Sequence, residues 1–200
     1  DHYLGREKVF FDAAGNEAQV GIVRGLAWTS VGGDTLQIEV NVMPGKGVLQ
    51  MTGQMGDVMK ESAQIALTYV RSVASDYGVK ENYFEKHDIH LHIPEGAVPK
   101  DGPSAGITMA TAMLSAVTGR KVLPRVAMTG EVTLRGHVLM IGGLKEKLLA
   151  ARMAQVEKVL VPAKNQPDVE ELSKEITKGM EIVYIKEMNE VIREAFVPEK

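Results

Sequence analysis

The stretch PKDGPSAGITMATAMLSAVTG (99–119) decides the fold, because a polar loop changes there into a run of small and apolar residues. The loop, rich in Gly and Pro, covers 95–102. The residues that follow it, SAGITMATAMLSAVT, predict a helix over roughly 104–118. Ser104 therefore lies at the junction of loop and helix.

Strands and helices are predicted on both sides of this junction. The upstream pattern predicts strands over 20–28, 35–43 and 88–94, a turn at 31–34 and a helix over 54–75. The downstream pattern predicts a strand at 126–130, a hairpin over 131–143, a helix over 144–154, a strand at 158–162, and then helix, strand and helix. This mixture, without strict βαβ order, favours an α/β or mixed α+β fold: one domain with a mixed sheet and flanking helices.

Composition narrows the function. The 200 residues carry a net charge of −3 and only 5% aromatics, so neither a basic surface nor a stacking platform points to nucleic acid. No cysteine is present, which excludes a disulfide scaffold, a zinc–thiolate site and a cysteine nucleophile. No apolar run approaches the roughly 18 residues of a membrane span, and no membrane partner is expected. Residues 1–19, which are polar in their first part, predict a linker from a missing upstream domain, and 20–200 form the domain itself.

The pentapeptide Gly102–Gly106 (GPSAG) makes Ser104 a candidate nucleophile. Glycines let a substrate backbone approach closely, and the free N–H groups of a helix N-terminus can stabilise an oxyanion. Ser is also a preferred helix N-cap, so the pentapeptide alone leaves both interpretations open.

The same residues match G-x-S-x-G, the nucleophile elbow of α/β-hydrolases. That fold requires an acid and then a His after the Ser, which would here be Glu131 and His137. Such a triad is cramped, and a Pro-rich loop replaces the strand that should precede the elbow.

A Ser without a His partner can use a Lys as its base. That Lys must be neutral near pH 7, so its pKa must fall from ~10.4 to roughly 7, through burial or a nearby helix N-terminus. Lys145 and Lys147 both lie in the first turn of the helix that follows Gly142 and Gly143. Helical spacing places Lys147 among alanines and Lys145 beside Arg152, so Lys147 is the better base, although a Lys at a helix edge can also be simply solvated.

The strings PKDGPSAGITMATAMLSAVTG (99–119) and MTGEVTLRGHVLMIGGLKEKLLAA (128–151) strongly resemble the proteolytic domain of the bacterial-type Lon proteases. So do GLAWTSVGGD (25–34), PGKG (44–47) and DIHLHIPEGAVPKDG (88–102), and the resemblance extends from about Val20 to the C-terminus. It implies an ATP-dependent serine endopeptidase with a Ser–Lys dyad, in which Ser104 is the nucleophile and Lys147 the base.

The resemblance also implies partners and context. It implies a homo-hexameric ring, unfolded or damaged polypeptides as substrates, and a cytoplasmic enzyme. No G-x-x-x-x-G-K-[ST] string occurs here, so this chain is expected to hold no cofactor, and the ATP and Mg of the family belong to a missing ATPase domain.

Four further residues are predicted beside the dyad. Asp101 lies in the family string and is predicted to position Ser104 or to interact with the ammonium form of Lys147; the alternative is a loop Asp that supports a turn. Thr129 aims the Lys amine, and Glu131 supports the same segment; the alternative for Thr129 is an ordinary strand residue. Trp28 is predicted to line the substrate groove, with a core or subunit-interface position as the alternative.

His90 and His92 share one face of a predicted strand. They could form half a metal site, but no third ligand follows at a recognisable spacing, and no metal is expected. We interpret them as polar residues near the site or as a structural pair, with His92 a less favoured base than Lys147. Three rival functions remain: an inactive ring-forming scaffold, a Ser–Lys amidase or esterase for small molecules, and, least favoured, a metal-dependent hydrolase.

Overall fold

The computed structural model describes residues 17–29, 32–94 and 100–200. Most of the predicted linker, 1–19, therefore lies outside the described residues. The strands are β1 (Ile22–Thr29), β2 (Gly32–Pro44), β3 (Leu49–Thr52), β4 (His87–His92), β5 (Val126–Met128), β6 (Glu131–Val132), β7 (Val138–Leu139), β8 (Lys158–Pro162) and β9 (Glu181–Ile185). The α-helices are α1 (Asp57–Val73), α2 (Tyr83–Lys86), α3 (Gly106–Thr118), α4 (Leu144–Met153), α5 (Gln166–Glu170), α6 (Lys174–Thr177) and α7 (Met188–Ala195).

Within the described residues, one sheet has the strand order β3-β4-β2-β1-β5-β8-β9, and β6 pairs with β7 in a separate hairpin. The pairs β1–β2 and β2–β4 are antiparallel, whereas β1–β5, β5–β8 and β8–β9 are parallel. The predicted mixed sheet with flanking helices is confirmed.

The two faces of the sheet bury separate apolar clusters. One cluster joins α1, α3 and α7 to strands β1, β2 and β4. Helix α3 lies at its centre and is buried from Gly106 to Ser115, as its small and apolar residues allow. The second cluster packs Leu144, Leu148 and Ala151 of α4 against the opposite face, on Leu26 and Val159. Helices α3 and α4 thus cover opposite faces, and residues at the start of each helix line one cavity. None of the helices in the described ranges is long and apolar enough to cross a membrane.

Two local predictions differ from the structure. The predicted turn at 31–34 is wrong for residues 32–34, because Gly32, Gly33 and Asp34 pair with Thr29, Trp28 and Ala27 in the β1–β2 ladder. Residue 31 lies outside the described residues. Strand β3 was not predicted, because a four-residue segment is too short to show an alternating pattern; its pairing with β4 holds it in the sheet.

Candidate active site

A cavity of about 870 Å³ opens where the loop before α3, the first turn of α4 and the ends of β1 and β2 come together. Its wall includes the two residues proposed from the sequence as nucleophile and base, Ser104 and Lys147. The other lining residues are Ala27, Trp28, Asp34, Thr35, Leu36, Gln37, Met59, Pro94, Lys100, Asp101, Pro103, Ala105, Glu131, Met140, Ile141, Gly142, Gly143 and Glu146.

Ser104 occupies the turn before α3, and its side chain is partly exposed on the cavity wall. The helix begins at Gly106 with Ala105 as its N-cap, and no side chain makes a capping hydrogen bond. The hydroxyl of Ser104 therefore does not serve as the helix cap, which was the alternative interpretation of this residue. It remains available to the cavity.

Lys147 is buried on the first turns of α4, with 3% of its surface exposed. Its ammonium group takes part in none of the salt bridges found among the described residues. Burial lowers the pKa of Lys147 from 10.5 to about 8, because desolvation penalises the charged form. The ammonium form still predominates at pH 7, but the neutral fraction is far larger than for an ordinary Lys, and a neutral amine can accept a proton. Lys145, two residues earlier, is exposed.

The two-residue segment Thr129–Gly130 holds both candidates. The Lys147 amine donates a hydrogen bond to Oγ1 of Thr129 at 3.2 Å. The Gly130 N–H donates to the Ser104 carbonyl at 2.8 Å, and the Gly130 carbonyl accepts from Ile107 at 3.1 Å. Thr129 itself is fully buried, and its N–H donates to Leu160 of β8. The segment that follows β5 thus fixes the Lys147 amine and the turn that carries Ser104 through adjacent residues.

Asp101 fastens the loop that carries Ser104. Its Oδ1 accepts hydrogen bonds from the N–H groups of Met59, in the first turn of α1, and of Gly102, both at 2.9 Å. These bonds, that from Met59 first, lower the pKa of the Asp101 carboxyl below its usual value. Of the two roles predicted for Asp101, these contacts fit a role in positioning the loop.

Glu131 and Trp28 both line the cavity. Glu131 begins the β6–β7 hairpin directly after Gly130. Trp28 is 61% exposed and lies near the end of β1, so it is not a core residue. Trp28 also lies close to Gly143, the N-cap residue of α4, which has a φ of 67°. A Cβ added at Gly143 would lie 3.0 Å from the Trp28 side chain.

The four histidines that the structure describes lie outside the cavity wall. His92 Nδ1 and His90 Nε2 share the Thr52 hydroxyl, at 2.6 and 2.9 Å. His137 is paired with Glu187 at 2.8 Å, so the structure does not assemble the Ser104–Glu131–His137 triad. No group of three or more His, Cys, Asp or Glu side chains suited to a metal occurs in the part of the chain that the structure describes.

Sequence reasoning missed two residues that shape this site. Asn165 is fully buried behind the cavity wall, and the only signal for it is a polar residue three positions after the end of the buried strand β8. Gly33 allows the backbones of β2 and α4 to touch. A Cβ at Gly33 would overlap the Glu146 carbonyl and lie 3.1 Å from the backbone nitrogen of Lys147.

Replacing Gly33 with alanine should push the first turn of α4 off the sheet. Overpacking of this kind costs typically ~1–3 kcal/mol of unfolding free energy. We expect a lower melting temperature by calorimetry and a displaced Lys147. Gly142→Ala is the matched control, since nothing lies within 4 Å of its added Cβ. Equal melting temperatures for both variants would contradict the close packing.

Comparison with known proteins shows that the chain is a protease domain. The chain belongs to the family described as the Lon protease (S16) C-terminal proteolytic domain, whose family model matches residues 1–198. It is 65% identical over 195 residues to a Lon protease of Lachnoclostridium phytofermentans and 55% identical over 195 residues to one of Heliobacterium modesticaldum, covering 98% of this chain and 24% of each relative. Lon protease 1 of Bacillus subtilis is 52% identical over 198 residues, 99% of this chain and 26% of that protein. The chain spans about a quarter of the length of these curated relatives, and the resemblance seen in the sequence is confirmed.

Proposed function

We propose that this domain is a serine endopeptidase in which Ser104 is the nucleophile and Lys147 the general base. One observation carries the proposal: a buried Lys amine, which has no carboxylate partner among the described residues, lines the same cavity as the Ser104 hydroxyl, which does not cap α3. The membership of the chain in a protease family supports peptide bonds as the substrate.

The chemistry follows from the protonation state of Lys147. The neutral amine takes the hydroxyl proton of Ser104 as Oγ attacks the scissile carbonyl carbon. The tetrahedral intermediate then collapses, the C–N bond breaks, and the leaving amine takes that proton from the Lys147 ammonium. A water molecule gives its proton to Lys147 and attacks the ester, which releases the new carboxyl end and returns the proton to Ser104. Thr129 holds the amine in place through these steps.

The oxyanion needs N–H donors near Ser104. The N–H groups of Gly106 and Ile107 already donate to the carbonyls of Pro103 and Gly130, at 3.2 and 3.1 Å. Among the described residues at this turn, the N–H groups of Ser104 and Ala105 are left, and we assign the oxyanion to them. Both precede the first helical residue, at the positive end of the α3 dipole.

The substrates, the cofactors and the compartment are proposed from the resemblance to the Lon proteases. We propose unfolded or damaged polypeptides as substrates, since an open cavity with an exposed Trp28 at its rim accepts an extended chain more readily than a folded surface. No cofactor is assigned to this chain, and ATP and Mg would act in an ATPase domain of the whole protein. We propose the cytoplasm as its compartment.

The test is digestion of an unfolded protein by this chain, with products identified by mass spectrometry. We expect internal cleavage that continues in the presence of a chelator, with an acyl adduct on the Ser104 peptide. Cleavage of small esters but not of long chains would favour the esterase alternative. A silent, unacylated chain would favour the scaffold, and loss of cleavage on chelation would favour the metal hydrolase.

We also propose a homo-hexameric ring. The outer side of α4 carries Leu149 and Met153, four residues apart, and Met153 is 86% exposed. Met153→Glu should therefore weaken self-association in sedimentation velocity. Val48→Glu is the control, since Val48 is also exposed but lies beside the edge strand β3. An unchanged sedimentation coefficient for Met153→Glu would remove α4 from the interface.

A further inference from the structure

The side chain of Asn165 supports the cavity wall from behind. It follows β8 in a 3₁₀ turn and is fully buried. Its Oδ1 accepts a hydrogen bond from the Ile141 N–H at 3.0 Å, and its Nδ2 donates to the Ile141 carbonyl at 2.9 Å. One amide side chain thus pairs with both main-chain groups of a residue that lines the cavity.

The Asn165 amide gives Ile141 the hydrogen bonds that a neighbouring strand would otherwise provide. Strand β7 ends at Leu139, and α4 begins at Leu144, so residues 140–143 belong to neither element. All four of these residues line the cavity. A short irregular segment would need fixed main-chain partners to keep a defined wall, and the Asn165 amide provides them as a strand would.

The same segment determines where the base lies. The Gly143 carbonyl accepts the Lys147 N–H at 3.1 Å, in the first turn of α4. Ile141 precedes Gly143 by two residues, so a shift of Ile141 moves the start of α4. We infer that Asn165 is a positioning residue, which holds the 140–143 segment as the substrate wall and sets the place of Lys147. This inference rests on the proposed Ser–Lys function.

Asp168 orients the amide. Its Oδ2 accepts the second Nδ2 hydrogen of Asn165 at 2.8 Å, which keeps the nitrogen toward Asp168 and the Ile141 carbonyl and the oxygen toward the Ile141 N–H. A carboxylate at 165 would have no hydrogen to donate to the Ile141 carbonyl, and it would lie against a like charge. Asparagine is therefore required at this position for its chemistry and not only for its size.

The decisive variant is Asn165→Asp, which keeps the shape and removes the donor. We expect kcat/KM for a fluorogenic peptide to fall roughly tenfold or more, as for loss of a buried hydrogen-bond partner. We also expect the midpoint of the pH–activity profile to rise, because a displaced α4 admits water to Lys147 and brings its pKa back toward that of an exposed Lys. Gln166→Ala is the matched control: it removes an exposed amide, one residue away, that donates to Glu170.

If Asn165 had a purely structural role, Asn165→Asp would lower the melting temperature and leave the midpoint of the pH–activity profile unchanged. That result for Asn165→Asp, with parental kcat/KM, would overturn the inference. If Asn165→Asp does not fold, Asp168→Ala decides, since it removes only the orienting carboxylate and should shift the midpoint in the same direction. Ser104→Ala is measured beside them: if it still cleaves, the proposed function has failed, whatever the Asn165 variants show.

Discussion

Ser104→Ala should reduce cleavage of an unfolded protein to background, a loss of roughly 10⁴-fold or more, because no other step replaces covalent attack by the hydroxyl. The fold should be unaffected, since the hydroxyl is partly exposed and does not cap α3. Product formation by mass spectrometry measures the loss, and circular dichroism checks the fold.

Ser72→Ala is the control for this experiment. Ser72 is exposed near the end of α1, and its hydroxyl donates to the Tyr69 carbonyl. We expect parental activity from it. Cleavage by Ser104→Ala at the parental rate, or an acyl adduct on a peptide without Ser104, would assign the nucleophile to another residue.

Lys147→Met should abolish most of the activity and at the same time stabilise the domain. Loss of a general base typically costs 10²–10⁴-fold in rate. A buried amine whose pKa falls from 10.5 to about 8 costs the folded state ~3 kcal/mol while it is charged. Methionine avoids that cost but forfeits the hydrogen bond to Thr129, worth ~1 kcal/mol, so a net gain of ~2 kcal/mol is expected near pH 7.

The cleavage activity and the stability of the parent both depend on pH, each in a defined direction. Activity of the parent should rise with pH and reach half its maximum near pH 8, because only the neutral amine accepts a proton. In the window between pH 8 and 10.5 the unfolded chain binds more protons at this Lys than the folded one, so the stability of the parent rises with pH there. The stability advantage of Lys147→Met should therefore shrink across the same window.

Denaturant unfolding at pH 7 and pH 10 measures the stability change, and peptide cleavage measures the rate. Lys145→Met is the matched control, since Lys145 is exposed in the same helical turn. We expect parental activity and stability from it. A Lys147→Met variant that is active, or that is less stable than the parent at pH 7, would show that Lys147 is not a buried base.

The loss of activity and the gain in stability expected of Lys147→Met describe one trade-off. In the proposed mechanism, the cost of burying the Lys147 amine at the start of α4 is offset by the need for a proton acceptor beside Ser104. Thr129, with no charge, holds the amine without returning its pKa to the ordinary value. A carboxylate in the place of Thr129 would stabilise the ammonium form and favour folding over basicity.

Local patterns predicted most of the secondary structure. The apolar periodicity over 54–75 predicted α1, and the small apolar run at 104–118 predicted α3, each to within a few residues. The turn predicted at 31–34 was wrong for residues 32–34 because the β1–β2 ladder continues to Gly32, and β3 has its strand form only because β4 lies beside it. Sheet order and edge pairing depend on partners far away in the chain, and no short window contains them.

The sequence by itself determined the family, through the resemblance of the strings at 99–119 and 128–151 to the Lon proteases. It also supplied two candidate residues, because GPSAG and GGLKEK place a hydroxyl and an amine at the starts of predicted helices. Only the tertiary structure decided that Lys147 is buried, that Thr129 and Gly130 hold both groups, that Asp101 bonds to α1, and that Asn165 supports the wall. The physical reason is range. Helix propensity and loop chemistry act between neighbours in sequence, whereas desolvation and hydrogen-bond partners depend on which distant segments pack together.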